Sequence, residues 1–218
     1  MKQCGSKKAA QPADEADGRL RRPQLIGDPL GRRDGVMNYP VDLQPSTTEA
    51  LTLPSGRIVL VPKATPVFMP WQGPPMANTF GGKPALDSFG SPCFAEVVIL
   101  HRFVQAGWSG RWVETYGAPS MRPHFLTDWS AAGLKSAITE AIAEPRVSAL
   151  LDAVARANSH TYSGCWDVVA WKGDRVVFAE AKQRNMDRIR SSQLRWVAAA
   201  LEQGLSEEAF LMVEWCLP

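Results

Sequence analysis

Asp167, Glu180 and Lys182 are the residues of this chain whose types and spacing suggest a reaction centre. Between the two acids lies Lys172-Gly-Asp-Arg175, whose central Gly173-Asp174 suits a two-residue hairpin turn. If the chain folds back there, pairing runs outward from Lys172 with Arg175 until Asp167 lies opposite Glu180. Opposed residues of an antiparallel pair have Cβ atoms about 4.5 to 5.5 Å apart, and like charges there are destabilising. Two carboxylates about 5 Å apart repel by roughly 1 to 3 kcal/mol for effective dielectrics between about 80 and 20, and a divalent cation between them turns this into attraction. Hard oxygen ligands at that separation suit Mg2+ or Mn2+. Lys182 is two residues beyond Glu180 and projects from the same strand face, where an ammonium can orient or help deprotonate an attacking water.

A plainer reading stands beside this one: Asp167 marks a strand start, and Glu180 with Lys182 forms a solvent-facing pair on an edge strand. Three features weigh against it. The flanking residues Val168, Val169, Val176, Val177 and Phe178 are strongly apolar, which is unusual company for surface acids. From Lys182 to Arg195 the bases Lys182, Arg184, Arg188, Arg190 and Arg195 face one acid, Asp187, a local charge of +4 in a chain whose net charge is +2. Basic groups beside a metal-binding acid pair suit a phosphodiester substrate, holding its backbone while the cation stabilises charge at the phosphate. Gln193, in a stripe with Trp196 and Ala200, is open to two readings: a plain glutamine at a helix N-terminus, which is the commoner case, or a side chain that hydrogen-bonds a phosphate or a water at the metal.

The elements that must position these residues are legible from periodicity. Ser91-Pro92 reads as the N-cap and first residue of a helix carrying Phe94, Val97, Val98, Ile99 and Val104 until Gly107. Arg111 to Tyr116 alternates as a strand and closes at Gly117-Ala-Pro119. Two helices are expected within a helical insertion at about 120–160: one after Asp128 through Leu134, Ile138 and Ile142, and one from Pro145 through Val147, Leu150, Leu151 and Val154. Trp166 to Trp171 and Val176 to Gln183 form the hairpin. Ser191 or Ser192 caps a helix with Leu194, Val197, Ala198 and Leu201 on one face, ended by Gly204. Phe210 to Trp215 is the last strand. Helix, strand, strand, strand, helix, strand predicts an α/β fold with a mixed central sheet flanked by helices.

The first 90 residues differ: they hold 12 of the 17 prolines and 10 of the 17 glycines but one of the eight tryptophans, too few large side chains to fill a core. They predict a largely irregular extension, disordered or draped over another surface to about Leu51, with a short strand at Arg57–Pro62, ahead of a folded domain at 91–218. The four cysteines are far apart and only three histidines are present, so neither a zinc ribbon nor a disulfide framework is indicated. No apolar run approaches the roughly 20 residues that span a bilayer, and Met1 to Lys8 leads into polar sequence. The expectation is a soluble cytoplasmic protein without a membrane partner.

Gly164-Cys-Trp-Asp167-Val-Val-Ala-Trp171, Phe178-Ala-Glu180-Ala-Lys182-Gln183 and Asp187-Arg-Ile-Arg-Ser-Ser-Gln193-Leu-Arg-Trp196 together resemble the PD-(D/E)xK nuclease superfamily, and within it the VRR-NUC-like domains. The resemblance covers roughly residues 160 to 216, with Trp166 where the superfamily's name has proline. It implies a restriction-endonuclease-like αβββαβ core and a metal-dependent nuclease hydrolysing DNA, with branched and flapped forms among the candidate substrates, through water activated at Mg2+ or Mn2+. Asp167, Glu180 and Lys182 would be catalytic. Asp167, Glu180, the Ala181 carbonyl and Glu96 of the first helix would hold the metal. Gln183, Arg184, Arg188, Arg190, Gln193 and Arg195 would contact DNA. Two other readings remain: a catalytically silent nuclease-fold module that binds nucleic acid or protein, and an assembly component docking through the extension or the insertion.

Overall fold

The computed structural model describes residues 37–76, 79, 81–115, 120–129 and 139–218. Nine strands and three α-helices occur among them: β1 (Thr47–Thr52), β2 (Ile58–Ala64), β3 (Leu86–Ser88), β4 (Ser91–Cys93), α1 (Ala95–Gln105), β5 (Ser109–Glu114), β6 (His124–Leu126), α2 (Pro145–Ala157), β7 (Val168–Lys172), β8 (Arg175–Gln183), α3 (Ser191–Glu202) and β9 (Phe210–Trp215). Seven strands form one mixed sheet in the order β1-β2-β9-β8-β7-β5-β6. β8 runs parallel to β9 and antiparallel to β7. The remaining two, β3 and β4, make a separate hairpin.

Alternation sorts the side chains between two cores. Val168, Ala170, Val177, Ala179, Leu211 and Val213 face α1, whose Val97, Val98, Ile99, Leu100 and Phe103 are buried against them. Val169, Trp171, Val176, Phe178, Phe210 and Met212 face the other way, under α2 and α3. The central strands are apolar on both faces because both faces are covered. The parallel step from β8 to β9 is bridged by α3, as a parallel connection requires.

α1, β5, β7, β8, α3 and β9 follow one another in the expected order, and the expected hairpin is present with Lys172 opposite Arg175 and Val168 opposite Ala179. Several boundaries differ. Ser91 and Pro92 do not start α1; they belong to β4, and Phe94 is the N-cap. The cause is a two-residue turn at Phe89-Gly90, both in left-handed conformation (φ 54° and 82°), which pairs Ser88 with Ser91 before the helix begins. Val104, expected on the buried stripe, is 51% exposed. Arg190, not Ser191 or Ser192, is the N-cap of α3.

The 120–160 region is not simply helical. His124–Leu126 joins the sheet as β6, Glu140 N–H donates to the Phe125 carbonyl at 2.9 Å, and Ile142 is buried outside any helix. Leu134 and Ile138, on the expected first helix, lie outside the described residues, as do Tyr116–Pro119 and residues 1–36. α2 forms as expected, and Val147, Leu151 and Val154 build the same core as Trp166 and Trp196. In the Pro/Gly-rich extension, Thr47–Thr52 is a strand where irregular chain was expected, and β2 spans the Arg57–Pro62 region and pairs with β9, so the extension lengthens the sheet. Among the described residues no helix is long and apolar enough to cross a membrane.

Candidate active site

Asp167 lies on the bend that opens β7, one residue beyond the last ladder pair, and Glu180 lies on β8. The turn at Gly173-Asp174 brings them together. Asp167 N–H donates to Glu180 Oε2 at 3.3 Å, and Ala181 N–H donates to Asp167 Oδ2 at 3.0 Å. Each acid is thus held by the backbone next to the other. Glu180 is 1% exposed, a burial that an ionised carboxylate tolerates only when compensated. Lys182 Nζ donates to Glu180 Oε1 at 2.7 Å, and Gln193 Nε2 donates to the same oxygen at 2.5 Å.

Gln193 does more than the plain role of an N-terminal glutamine. Its Oε1 accepts from Arg190 N–H at 2.8 Å, capping α3, and from Lys182 Nζ at 3.4 Å. The helix end is therefore fastened to the acid through one side chain. Gly164 makes the approach possible: it has φ +83°, and a Cβ there would lie 2.1 Å from the Ser192 carbonyl oxygen. The loop before Asp167 packs directly on the first turn of α3.

Burial first, then the Glu180 and Glu96 charges, push the Asp167 carboxyl well above the ordinary carboxylate range, against the Ala181 N–H and Lys83, which lower it. Burial also raises Glu180, with Lys182 opposing. Cys165, buried next to the pair, is raised by desolvation and by both acids, which disfavours its thiolate.

Glu96 reaches the neighbourhood from the first turn of α1. It is buried, one oxygen pairs with Lys83 Nζ, and Oε2 has no hydrogen-bond partner. Lys83 was not foreseen, because it falls in the Pro/Gly-rich stretch; its one signal is the preceding Gly81-Gly82, both with positive φ, a turn that aims the next side chain inward.

The basic run lines the outer side. Asp187, its one acid, turns back to accept from Gln183 N–H at 3.0 Å. Arg184 pairs with Glu214 at 3.6 Å, and Gln183 is half-buried at the end of β8. Arg188, Arg190 and Arg195 are exposed and have no ion pair among the described residues.

Asp167 and Glu180 with the Ala181 carbonyl offer hard oxygen donors, and their raised carboxyls together with the orphaned Glu96 oxygen fit a cation. Among the described residues no three His, Cys, Asp or Glu side chains converge as a ready-made metal cage. A cavity of about 700 Å³ between α1, β5 and residues 140–144 contains none of these acids. Comparison with protein families, with curated proteins and with solved structures returned no match, so the chemistry must be argued from the geometry of Asp167, Glu180, Lys182 and Gln193.

Proposed function

We propose that the protein is a Mg2+- or Mn2+-dependent nuclease that hydrolyses DNA phosphodiester bonds on a restriction-endonuclease-like core. The observation that carries this reading is the backbone-clasped Asp167 and Glu180 pair with Lys182 on Glu180 at 2.7 Å. A buried pair of acids held against its own repulsion is poor design for stability and good design for a cation. The order α1, β5, β7, β8, α3, β9 supports the core assignment.

In this reading Asp167, Glu180 and the Ala181 carbonyl hold the ion, with Glu96 adding charge from the α1 side. The ion supplies Lewis-acid stabilisation of charge at the phosphate. Lys182 orients the attacking water through its ammonium, itself fixed by Glu180 and Gln193. Gln193 keeps the Glu180 carboxylate from rotating and ties it to α3. Arg188, Arg190 and Arg195 hold the phosphate backbone, with Arg184 and Gln183 at the rim.

The test is a cleavage panel of duplex, single-stranded, flapped and four-way DNA with Mg2+, Mn2+ or EDTA. Cleavage is expected with either metal, absent in EDTA, and abolished in Lys182→Ala, Glu180→Ala and Asp167→Ala variants that keep their circular dichroism. Undiminished cleavage in Lys182→Ala and Glu180→Ala would remove the mechanism. DNA binding without cleavage of any substrate would favour a silent nuclease-fold module.

A further inference from the structure

β1 ends the seven-strand sheet, and among the described residues no strand pairs with its outer edge. Edge strands are ordinarily blunted by lysine, proline, a bulge or very short length. β1 has none of these. Thr47–Thr52 carries no lysine or proline and keeps one unbroken register against β2, from Thr47 with Lys63 to Thr52 with Ile58. Its one charge, Glu49, is taken up by Lys63 at 2.9 Å. Thr48, Ala50 and Thr52 are exposed. Leu60, paired with Ala50, is 53% exposed and Ile58, paired with Thr52, is 65% exposed, so an uncovered apolar strip reaches the edge.

The ladder fixes which backbone groups are free. Leu53 N–H donates to the Arg57 carbonyl at 2.9 Å, so these two form a hydrogen-bonded pair. Alternation along the antiparallel ladder then turns the N–H and C=O groups of Leu51, Glu49 and Thr47 toward β2, and those of Thr52, Ala50 and Thr48 outward. A second β1 laid antiparallel about a two-fold axis normal to the sheet must pair these outward residues with one another. Centring on Ala50 sets Ala50 against its mate and Thr48 against the mate's Thr52, each pair exchanging both bonds. Centring on Glu49 would oppose two carboxylates directly, which is destabilising. Centring on Leu51 would set Thr48 against Pro54, which has no N–H to give. In the Ala50 register the two Glu49 side chains meet only diagonally, each with its own Lys63, and Leu60, Ala50 and their mates form one apolar row across both hairpins. We propose that β1 is the docking edge for a second copy of this chain, joined antiparallel about Ala50 in a reversible two-fold dimer. A strand edge buries less than the roughly 1,000 Å² of a durable interface, so the dimer is weak and concentration-dependent. It goes beyond the proposed hydrolysis and holds whether or not the protein cleaves DNA.

Sedimentation equilibrium of the full chain over a concentration series, without DNA or metal, tests this. Wild type is expected to pass reversibly from monomer toward dimer. Ala50→Pro removes an outward N–H and leaves the bonds to β2 in place, and Ala50→Lys blunts the edge; both are expected to stay monomeric with unchanged circular dichroism. If Ala50→Pro does not fold, Ala50→Lys decides. A wild type that is monomeric at every concentration overturns the inference and means that the edge is left bare or is covered by another segment of the chain or a different partner. A dimer that persists in Ala50→Lys overturns it too. The register has its own readout. Under mild oxidation Ala50→Cys, on the axis, should give a disulfide-linked dimer joined at position 50 by mass spectrometry, above the wild-type background, whereas Thr47→Cys, held away from its own mate, should not. Linkage through Thr47→Cys, or none through Ala50→Cys, overturns the pairing.

Discussion

Asp167 and Glu180 are joined through the backbone and not only through space: the Asp167 N–H donates to Glu180 Oε2 at 3.3 Å while Ala181, the next residue on β8, donates to Asp167 Oδ2 at 3.0 Å. The clasp fixes two carboxylates where they repel. Asp167→Asn keeps an oxygen for the Ala181 N–H and removes one charge, so it should stabilise the metal-free protein. Like-charge repulsion between neighbouring carboxylates predicts a gain of roughly 1 to 3 kcal/mol at a pH where both are ionised. Urea unfolding in EDTA measures it, and the same variant should lose stabilisation by added Mn2+. A less stable Asp167→Asn protein in EDTA would mean that the pair is not strained.

The raised carboxyls give this strain a pH dependence. A native carboxyl above its unfolded value of about 4 keeps its proton while the unfolded chain loses one, so stability falls as pH rises through that window. It levels off once the native groups ionise. Burial sets the direction for both Asp167 and Glu180. Burial lowers His101, which works the opposite way, favouring the native state as pH rises toward about 6.5. The quantity to compare is therefore wild type minus Asp167→Asn in EDTA from pH 4.5 to 8. That difference should grow increasingly unfavourable to wild type with pH, and saturating Mn2+ should reverse it at pH 8. A flat difference would remove the linkage.

Gly164 is where loop and helix meet. A methyl group there would collide with the Ser192 carbonyl at 2.1 Å and with Gln193 N at 2.7 Å, and the φ of +83° disfavours any side chain. Backbone on both sides leaves no flexible atom to yield. Gly164→Ala should therefore cost about 3 kcal/mol or more, at the large end for single substitutions. It should also weaken Mn2+ binding, because Gln193 moves with the helix end it caps. Thermal unfolding and Mn2+ titration read the two effects; wild-type values for both would show that the approach is loose.

Much of this arrangement was legible in the sequence, for local reasons. The hairpin could be read because Gly173-Asp174 and the apolar runs beside it fix the register by short-range chemistry. Asp167, Glu180, Lys182 and Gln193 followed from that register and from helical spacing. The start of α1 was misplaced because Ser91-Pro92 carries the signature of a helix start, while the competing signal, a Phe89-Gly90 turn, depends on a left-handed phenylalanine that sequence does not announce. β1 and the place of β2 in the sheet were hidden for another reason: the strand expected at Arg57–Pro62 forms, but it joins the sheet beside β9, about 150 residues later, and no local pattern reports such a contact. Lys83 was missed in the same way, since its partner Glu96 lies across a turn, a hairpin and a helix start.

The exposed arginines give the proposed DNA contact a measurable signature. Arg188 and Arg190 on the β8 to α3 loop and Arg195 on α3 are free of ion pairs among the described residues, whereas Arg184 is tied to Glu214. Each arginine that neutralises a phosphate releases a counterion, so the slope of log K against log salt should fall by about 0.9 for each one removed. Arg188→Ala, Arg190→Ala and Arg195→Ala together should therefore flatten the slope by up to about 2.7. Arg184→Ala should change it less, because that guanidinium exchanges one anion for another. Binding to catalytically inactive Lys182→Ala protein from 50 to 300 mM salt isolates the effect from cleavage. A slope unchanged in the triple variant would move the DNA path away from the α3 end and toward the α1 side, where Lys83 stands.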